Sequence, residues 1–392
     1  MTGHRRQPGR SPDADGHRGA LGLLGAVVAV LAVLAWLGAG VAAAAPFIAP
    51  FTTTDTLAST VPANGDQNPY GIVTVPSSVG RLQRGDILVS NFNDQGPTSM
   101  GLPTTGGLQG RGTTIVQFDA DGSHPRLFAQ LDPAGFPGGV GLTTALAALP
   151  NGYVVVGSMP TTDGTFATAT AGALIVLDPS GRVAGTISGP PIDGPWDMTS
   201  TSTGAQTTLL VTNVLGGTLA ASPNVVHGGT VVRIRMITLP GRVPRVFDER
   251  VVVAGFPERT DPGAVVVGPT GVAVDRRGTL YVADSVADRI AVIPHALVSP
   301  VAVTGGGRTL TAGGQLNDPL GMTLAPNGDI LTVNGADGRI VETTPAGDQV
   351  AHATIDSGNG TGAGDLFGLT VAPGGSGVLF VDDFDNTLRL FH

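Results

Sequence analysis

Gly271-Val-Ala-Val-Asp-Arg-Arg-Gly278-Thr-Leu-Tyr-Val-Ala-Asp284 is the stretch that decides the fold of this chain. A glycine opens a run of small and β-branched residues, a second glycine follows seven positions on, and an apolar strand then ends on a carboxylate. The same phrase returns as Gly321-Met-Thr-Leu-Ala-Pro-Asn-Gly328-Asp-Ile-Leu-Thr-Val-Asn334. Two strands joined by a glycine turn make a hairpin, and a hairpin that recurs along the chain makes a repeat architecture.

Aligning on the paired glycines predicts six copies, with first strands beginning near Gly71, Ala145, Asp197, Gly271, Gly321 and Gly368. Each copy continues into a third strand, at Thr113 to Phe118, Ala173 to Leu177, Thr230 to Met236, Arg289 to Ile293, Arg339 to Thr343 and Leu388 to Phe391, and several into a fourth. Short antiparallel strands separated by turn pairs such as Asn151-Gly152 and Asn327-Gly328 predict an all-β, six-bladed β-propeller of four-stranded antiparallel blades. The last copy stops after its third strand, so Pro50 to Val61 is the candidate donor of a ring-closing outer strand. The expected organisation is an export segment over 1–45, a linker with the candidate closing strand over 46–67, and the propeller over 68–392.

Composition agrees with that architecture. The 392 residues include 60 Gly and 30 Pro with only 13% charged. All 21 basic residues are Arg and only three Glu are present, so helices laced with Glu–Lys pairs are not expected beyond the N-terminus. The formal charge of −9 becomes −11 without residues 1–45, which excludes nucleic acid as an expected partner. Polar residues with Arg5, Arg6, Arg10 and Arg18 precede an uncharged run from Ala20 to Ala45, predicting an N-terminal hydrophobic export helix, either cleaved near Ala43–Ala45 or retained as a membrane anchor. The protein is then expected outside the cytoplasm, secreted or anchored, with membrane contact only through that segment. Its lack of cysteine leaves stability to burial and ring closure.

The segment Gly268-Pro-Thr-Gly-Val-Ala-Val-Asp-Arg-Arg-Gly-Thr-Leu-Tyr-Val-Ala-Asp-Ser-Val-Ala-Asp-Arg-Ile290 resembles an NHL repeat, and copies five and six are similar to it. More broadly, the chain resembles the six-bladed group that includes SMP-30/gluconolactonase-like lactonases and strictosidine synthase-like proteins. That resemblance implies a divalent cation held by a Glu from the first blade with Asn and Asp residues around the channel. Here the earliest Glu is Glu249, and the triplets that would carry the Asp read Pro69-Tyr-Gly, Pro269-Thr-Gly and Pro319-Leu-Gly.

Register alone predicts two rings at one face. Residues just before the first-glycine position are Tyr70, Thr144, Trp196, Thr270, Leu320 and Phe367; those closing the second strand are Asn91, Ser158, Asn213, Asp284, Asn334 and Asp383. The aromatic members Tyr70, Trp196 and Phe367 either stack on a ligand or plug the channel. The oxygen-bearing ring either binds hydroxyls through Asn91, Asn213 and Asn334 and a cation such as calcium through Asp284 and Asp383, or caps its own turns. Insertions at Phe92 to Arg111, Met159 to Ala171 and Val214 to Gly229 overhang the same face, with His227 in the third. Asp197 and Asp193 are acid or base candidates in the turn beside Trp196. No serine-hydrolase elbow, phosphate loop or His-based metal spacing is present. The leading expectation is an exported NHL-type module binding a saccharide, envelope component or protein; the alternative is a metal-dependent hydrolase resembling the SMP-30/gluconolactonase-like lactonases.

Overall fold

The computed structural model describes residues 45–392 except 97, 100, 101, 104–106, 359 and 361, so the predicted export helix lies outside the described residues. Residues Pro46–His392 form one compact unit that holds every strand of the fold, so the ring is complete without the segment before it.

Six antiparallel sheets follow one another as blades. Their first strands are Gln67–Thr74, Leu142–Ala148, Pro195–Thr203, Pro269–Val274, Pro319–Leu324 and Leu366–Val371. These six line the axis, each touching the next and the sixth touching the first. The fold is thus a six-bladed propeller of four-stranded blades, with a short fifth strand, Val265–Val267, added to blade three. Among the described residues the only α-helix is the single turn Thr218–Ala221.

The paired glycines have separate reasons. A Cβ on Gly71, Gly271, Gly321 or Gly368 would meet a backbone oxygen of the next first strand, at 2.8 Å for Thr144, 2.2 Å for Leu320, 1.8 Å for Phe367 and 2.4 Å for Tyr70. Close approach of neighbouring strands at a narrow axis therefore requires glycine there. The second glycine, such as Gly278 at φ 80° or Gly328 at φ 93°, lies in the left-handed region that the tight turn needs.

Blade six is composite. Its outermost strand is Thr54–Ser59, paired antiparallel with Thr387–Phe391. Just before it, the buried carboxylate of Glu342 in blade five accepts the N–H groups of Phe47 at 2.6 Å and Ile48 at 2.9 Å, and Phe51 packs edge-on against Phe391.

Strand alternation defines two faces. The first-to-second and third-to-fourth turns lie on one, which we call the hairpin face. The second-to-third connections, with their insertions, lie on the other, the insertion face.

Candidate functional site

At the insertion face the axis is closed. Tyr70 and Phe367 stack with ring centroids 3.7 Å apart, and Trp196 lies 6.2 Å from Phe367. All three are 2–3% exposed, together with Leu320. The segment Asp261–Val267 folds over them: Trp196 Nε1 donates to Val266 O at 3.1 Å, and Tyr70 OH donates to Gly263 O at 3.5 Å. Val265 sits there at φ 65°, a strained conformation for a β-branched residue, held by complete burial against the aromatic ring. The structure thus brings the three predicted aromatic residues together inside a packed plug.

The polar ring does not converge on a common point, each side chain bonding within its own blade or to the segments bordering it. Asn91 Nδ2 donates to Thr60 O at 3.0 Å and to Thr114 Oγ1 at 3.2 Å. Asn213 Nδ2 donates to Val211 O, and Asn334 Nδ2 to Gln315 O and Asp337. Asp284 accepts Arg289 Nε at 2.7 Å on the adjacent third strand. In blade six the equivalent position is Asp382, which pairs with Leu366 and accepts Arg389 at 2.5 Å; Asp383 is one residue beyond. The assignment of Asp383 to the ring is corrected accordingly: the longer Gly374-Gly375-Ser-Gly377 turn adds one residue to the step seen from Gly271 to Asp284, which places Asp382, not Asp383, at the ring position. Burial and the neighbouring carboxylates of Asp365, Asp382 and Asp356 push the Asp383 carboxyl well above the usual range.

This donor set does not fit a divalent cation. The Asn amides spend their N–H groups on backbone and hydroxyl oxygens, and the carboxylates of Asp284 and Asp382 are already neutralised by arginine. Single oxygens of Asn91, Asp284 and Asn334 remain without a hydrogen-bond partner, but among the described residues no group of three His, Cys, Asp or Glu side chains is placed to hold a metal ion.

Below the plug the axis opens into a cavity of about 310 Å³ running toward the hairpin face. All six blades contribute: hydroxyls come from Thr144, Thr199, Ser200, Thr323 and Thr370, and apolar surface from residues such as Met198, Met322 and Leu369. Asp197 is its only ionisable lining residue. It stands where other blades carry the ring glycine, in the first strand as the register predicts, but buried rather than solvated. Its carboxyl accepts Met198 N at 2.8 Å and Val272 N of blade four at 3.1 Å. Burial outweighs these bonds and pushes its pKa up to about 8. Asp193 lies apart, on the insertion side, beside a fully buried Glu258 whose carboxyl burial raises to about 7. Sequence reasoning offered Asp197 as an acid or base but did not place it in this cavity; the signal was an Asp in a glycine position. His227 is exposed.

No family model and no curated protein matches this chain. Solved structures match throughout the ring. A calcium-binding protein, regucalcin, from Agrobacterium tumefaciens superposes with TM-score 0.52 at 12% identity, over 87% of this chain and 93% of that one. A gluconolactonase from Xanthomonas campestris gives TM-score 0.52 at 14% identity, over 90% and 92%. A Thermus thermophilus protein of glucose dehydrogenase type gives TM-score 0.52 at 15% identity, over 87% and 99%. In class, then, the protein is a six-bladed β-propeller. Among such propellers, its neighbours in fold are the SMP-30/gluconolactonase-like proteins.

Proposed function

We propose that the protein binds a small, uncharged, hydroxyl-rich molecule of the sugar or sugar-lactone type in the central channel, and that it hydrolyses it with Asp197 as the acid–base group. One observation carries this reading: a single carboxyl, with its pKa raised to about 8, faces a blind cavity otherwise lined by hydroxyls and apolar side chains. A carboxyl titrating near neutral pH suits general acid–base work, and its two oxygens retain lone pairs beyond those given to Met198 and Val272. No arginine lines the channel, which disfavours phosphorylated ligands. The likeness in fold to a gluconolactonase makes aldonolactones the first substrates to try. No step is routed through a metal ion, since the polar ring does not fit one.

The test is aldonolactone hydrolysis followed by proton release, with and without a chelator. Asp197→Asn should lose activity on the order of a hundredfold or more, and chelation should change nothing. Unchanged turnover in Asp197→Asn, or activity abolished by chelation and restored by calcium, would defeat this reading.

A second reading is a module that binds a saccharide, envelope component or protein on the insertion face without turnover. It is favoured by the bridging role of Asp197, whose bonds to blade four would alone justify the residue. Binding of a polyol unaffected by Asp197→Asn would support it. In both readings we place the protein outside the cytoplasm, on the strength of the Ala20 to Ala45 run; mass spectrometry of the native N-terminus and cell fractionation would check this.

A further inference from the structure

The exposed apolar side chains are not scattered evenly. Of the fourteen large hydrophobic residues exposed among the described residues, Ile237, Leu239, Val243, Val246 and Phe247 fall within eleven positions. They sit on one device, the third-to-fourth hairpin of blade three, which joins Val226–Ile237 to Arg245–Asp261. The registered pair Ile237 and Arg245 marks its neck, and its tip lies on the hairpin face. Val298 and Val301, the two most exposed of the fourteen, belong to the corresponding connection of blade four, which lies against the same strands through Arg233 and Arg235.

Charge separates this patch from the rest of the surface. The chain carries a net −9, yet residues 233–250 hold five Arg against Asp248 and Glu249, and of the five only Arg233 is buried. Arg242 and Arg245, on the hairpin itself, are exposed and form no ion pair among the described residues, whereas Asp248 is shared by Arg233, Arg235 and Arg250. Exposed apolar tips flanked by arginines match the interfacial region of an anionic bilayer, where side chains of both kinds gain on contact. An exposed apolar patch marks a contact with either a protein or a membrane, and the arginines flanking it in an otherwise acidic chain favour an anionic lipid surface.

The first described residues are held on the same face. Residues Phe47 and Ile48 are fixed to Glu342, near the turn Pro326-Asn327-Gly328 on the hairpin face, with Asn327 Nδ2 also donating to Glu342 at 2.9 Å.

We propose that the blade-three hairpin is a membrane-contacting device, its tip entering anionic phospholipid at the outer edge of the hairpin face. The channel opens on the same face but at the axis, whereas this hairpin joins the two outer strands of its blade, and the proposal does not depend on catalysis in the channel.

The self-contained ring of residues 46–392, which lacks the leading apolar run, is sedimented with vesicles of phosphatidylcholine alone or mixed with phosphatidylglycerol. Binding is expected to the mixed vesicles only, weakening with salt. Arg242→Ala with Arg245→Ala should reduce it roughly tenfold to thirtyfold. Leu239→Ser with Phe247→Ser should abolish it, whereas Phe384→Ser, an exposed aromatic on the insertion face, should leave it intact. Thermal melts and sedimentation velocity accompany each variant. Failure to bind mixed vesicles, or equal binding by the hairpin and Phe384 variants, overturns the proposal. So does a concentration-dependent dimer lost in the hairpin variants, which would assign the patch to a second copy of this chain.

Discussion

Asp197 shows how one side chain can change what a scaffold does. Four of its five counterparts are glycines and the fifth is Ala145, because neighbouring first strands approach too closely for anything larger. At blade three the strands leave room, and the carboxyl fills it while remaining at the cavity wall. Its folded-state pKa of about 8 lies above the ordinary value of 3.8, so the native state keeps a proton that the unfolded chain releases. The protonated native form is favoured below about pH 4, and this contribution drains away as pH rises toward 8. Unfolding free energy measured by chemical denaturation from pH 4 to 8 should therefore decline more steeply in the parent than in Asp197→Asn, with a difference on the order of a few kcal/mol across the window. Parallel curves would show that Asp197 ionises normally. The residue's place at the start of a first strand was visible in the sequence, but its burial was not: that follows from packing against the partner blade, whose Val272, 75 residues away, donates to its carboxyl.

At the scale of elements, hairpins were legible and what lies over them was not. The third strands Ala173–Leu177, Arg289–Ile293 and Arg339–Thr343 have the limits that alternation and turn glycines predict. The plug strand Val265–Val267 was not anticipated, because three valines before Gly268-Pro269 look like part of a blade rather than a lid over its neighbours. That lid changes the reading of the aromatic ring. Trp196→Ala would remove an indole that is 2% exposed and bonded to Val266, so it should cost roughly 3–5 kcal/mol of stability. Chemical denaturation would measure this; a variant as stable as the parent would mean that the plug is loose and the ring accessible. Blade six shows the complementary failure of counting, since its turn holds one residue more than that of blade four, which leads to Asp382, and the expectation of Asp383 allowed for one too many.

For the molecule as a whole, closure is what makes six marginal sheets a single body. Each blade buries its faces only against its neighbours, and in blade six Thr54–Ser59 covers the strand edge that Thr387–Phe391 would otherwise expose. Deleting residues 46–59 should lower the melting temperature by at least several degrees and produce soluble aggregates detectable by size-exclusion chromatography. A monomeric product with an unchanged melt would mean that the seam is dispensable. Glycine spacing carried the number of blades, while the sign and position of surface patches depend on which turns share a face, something that becomes evident only once the ring is assembled. The clasp of Glu342 on Phe47 and Ile48 has a mechanical consequence. A tug arriving along the leading residues meets those two hydrogen bonds at blade five before it reaches the seam, so tension is spent on a local anchor and the ring stays shut.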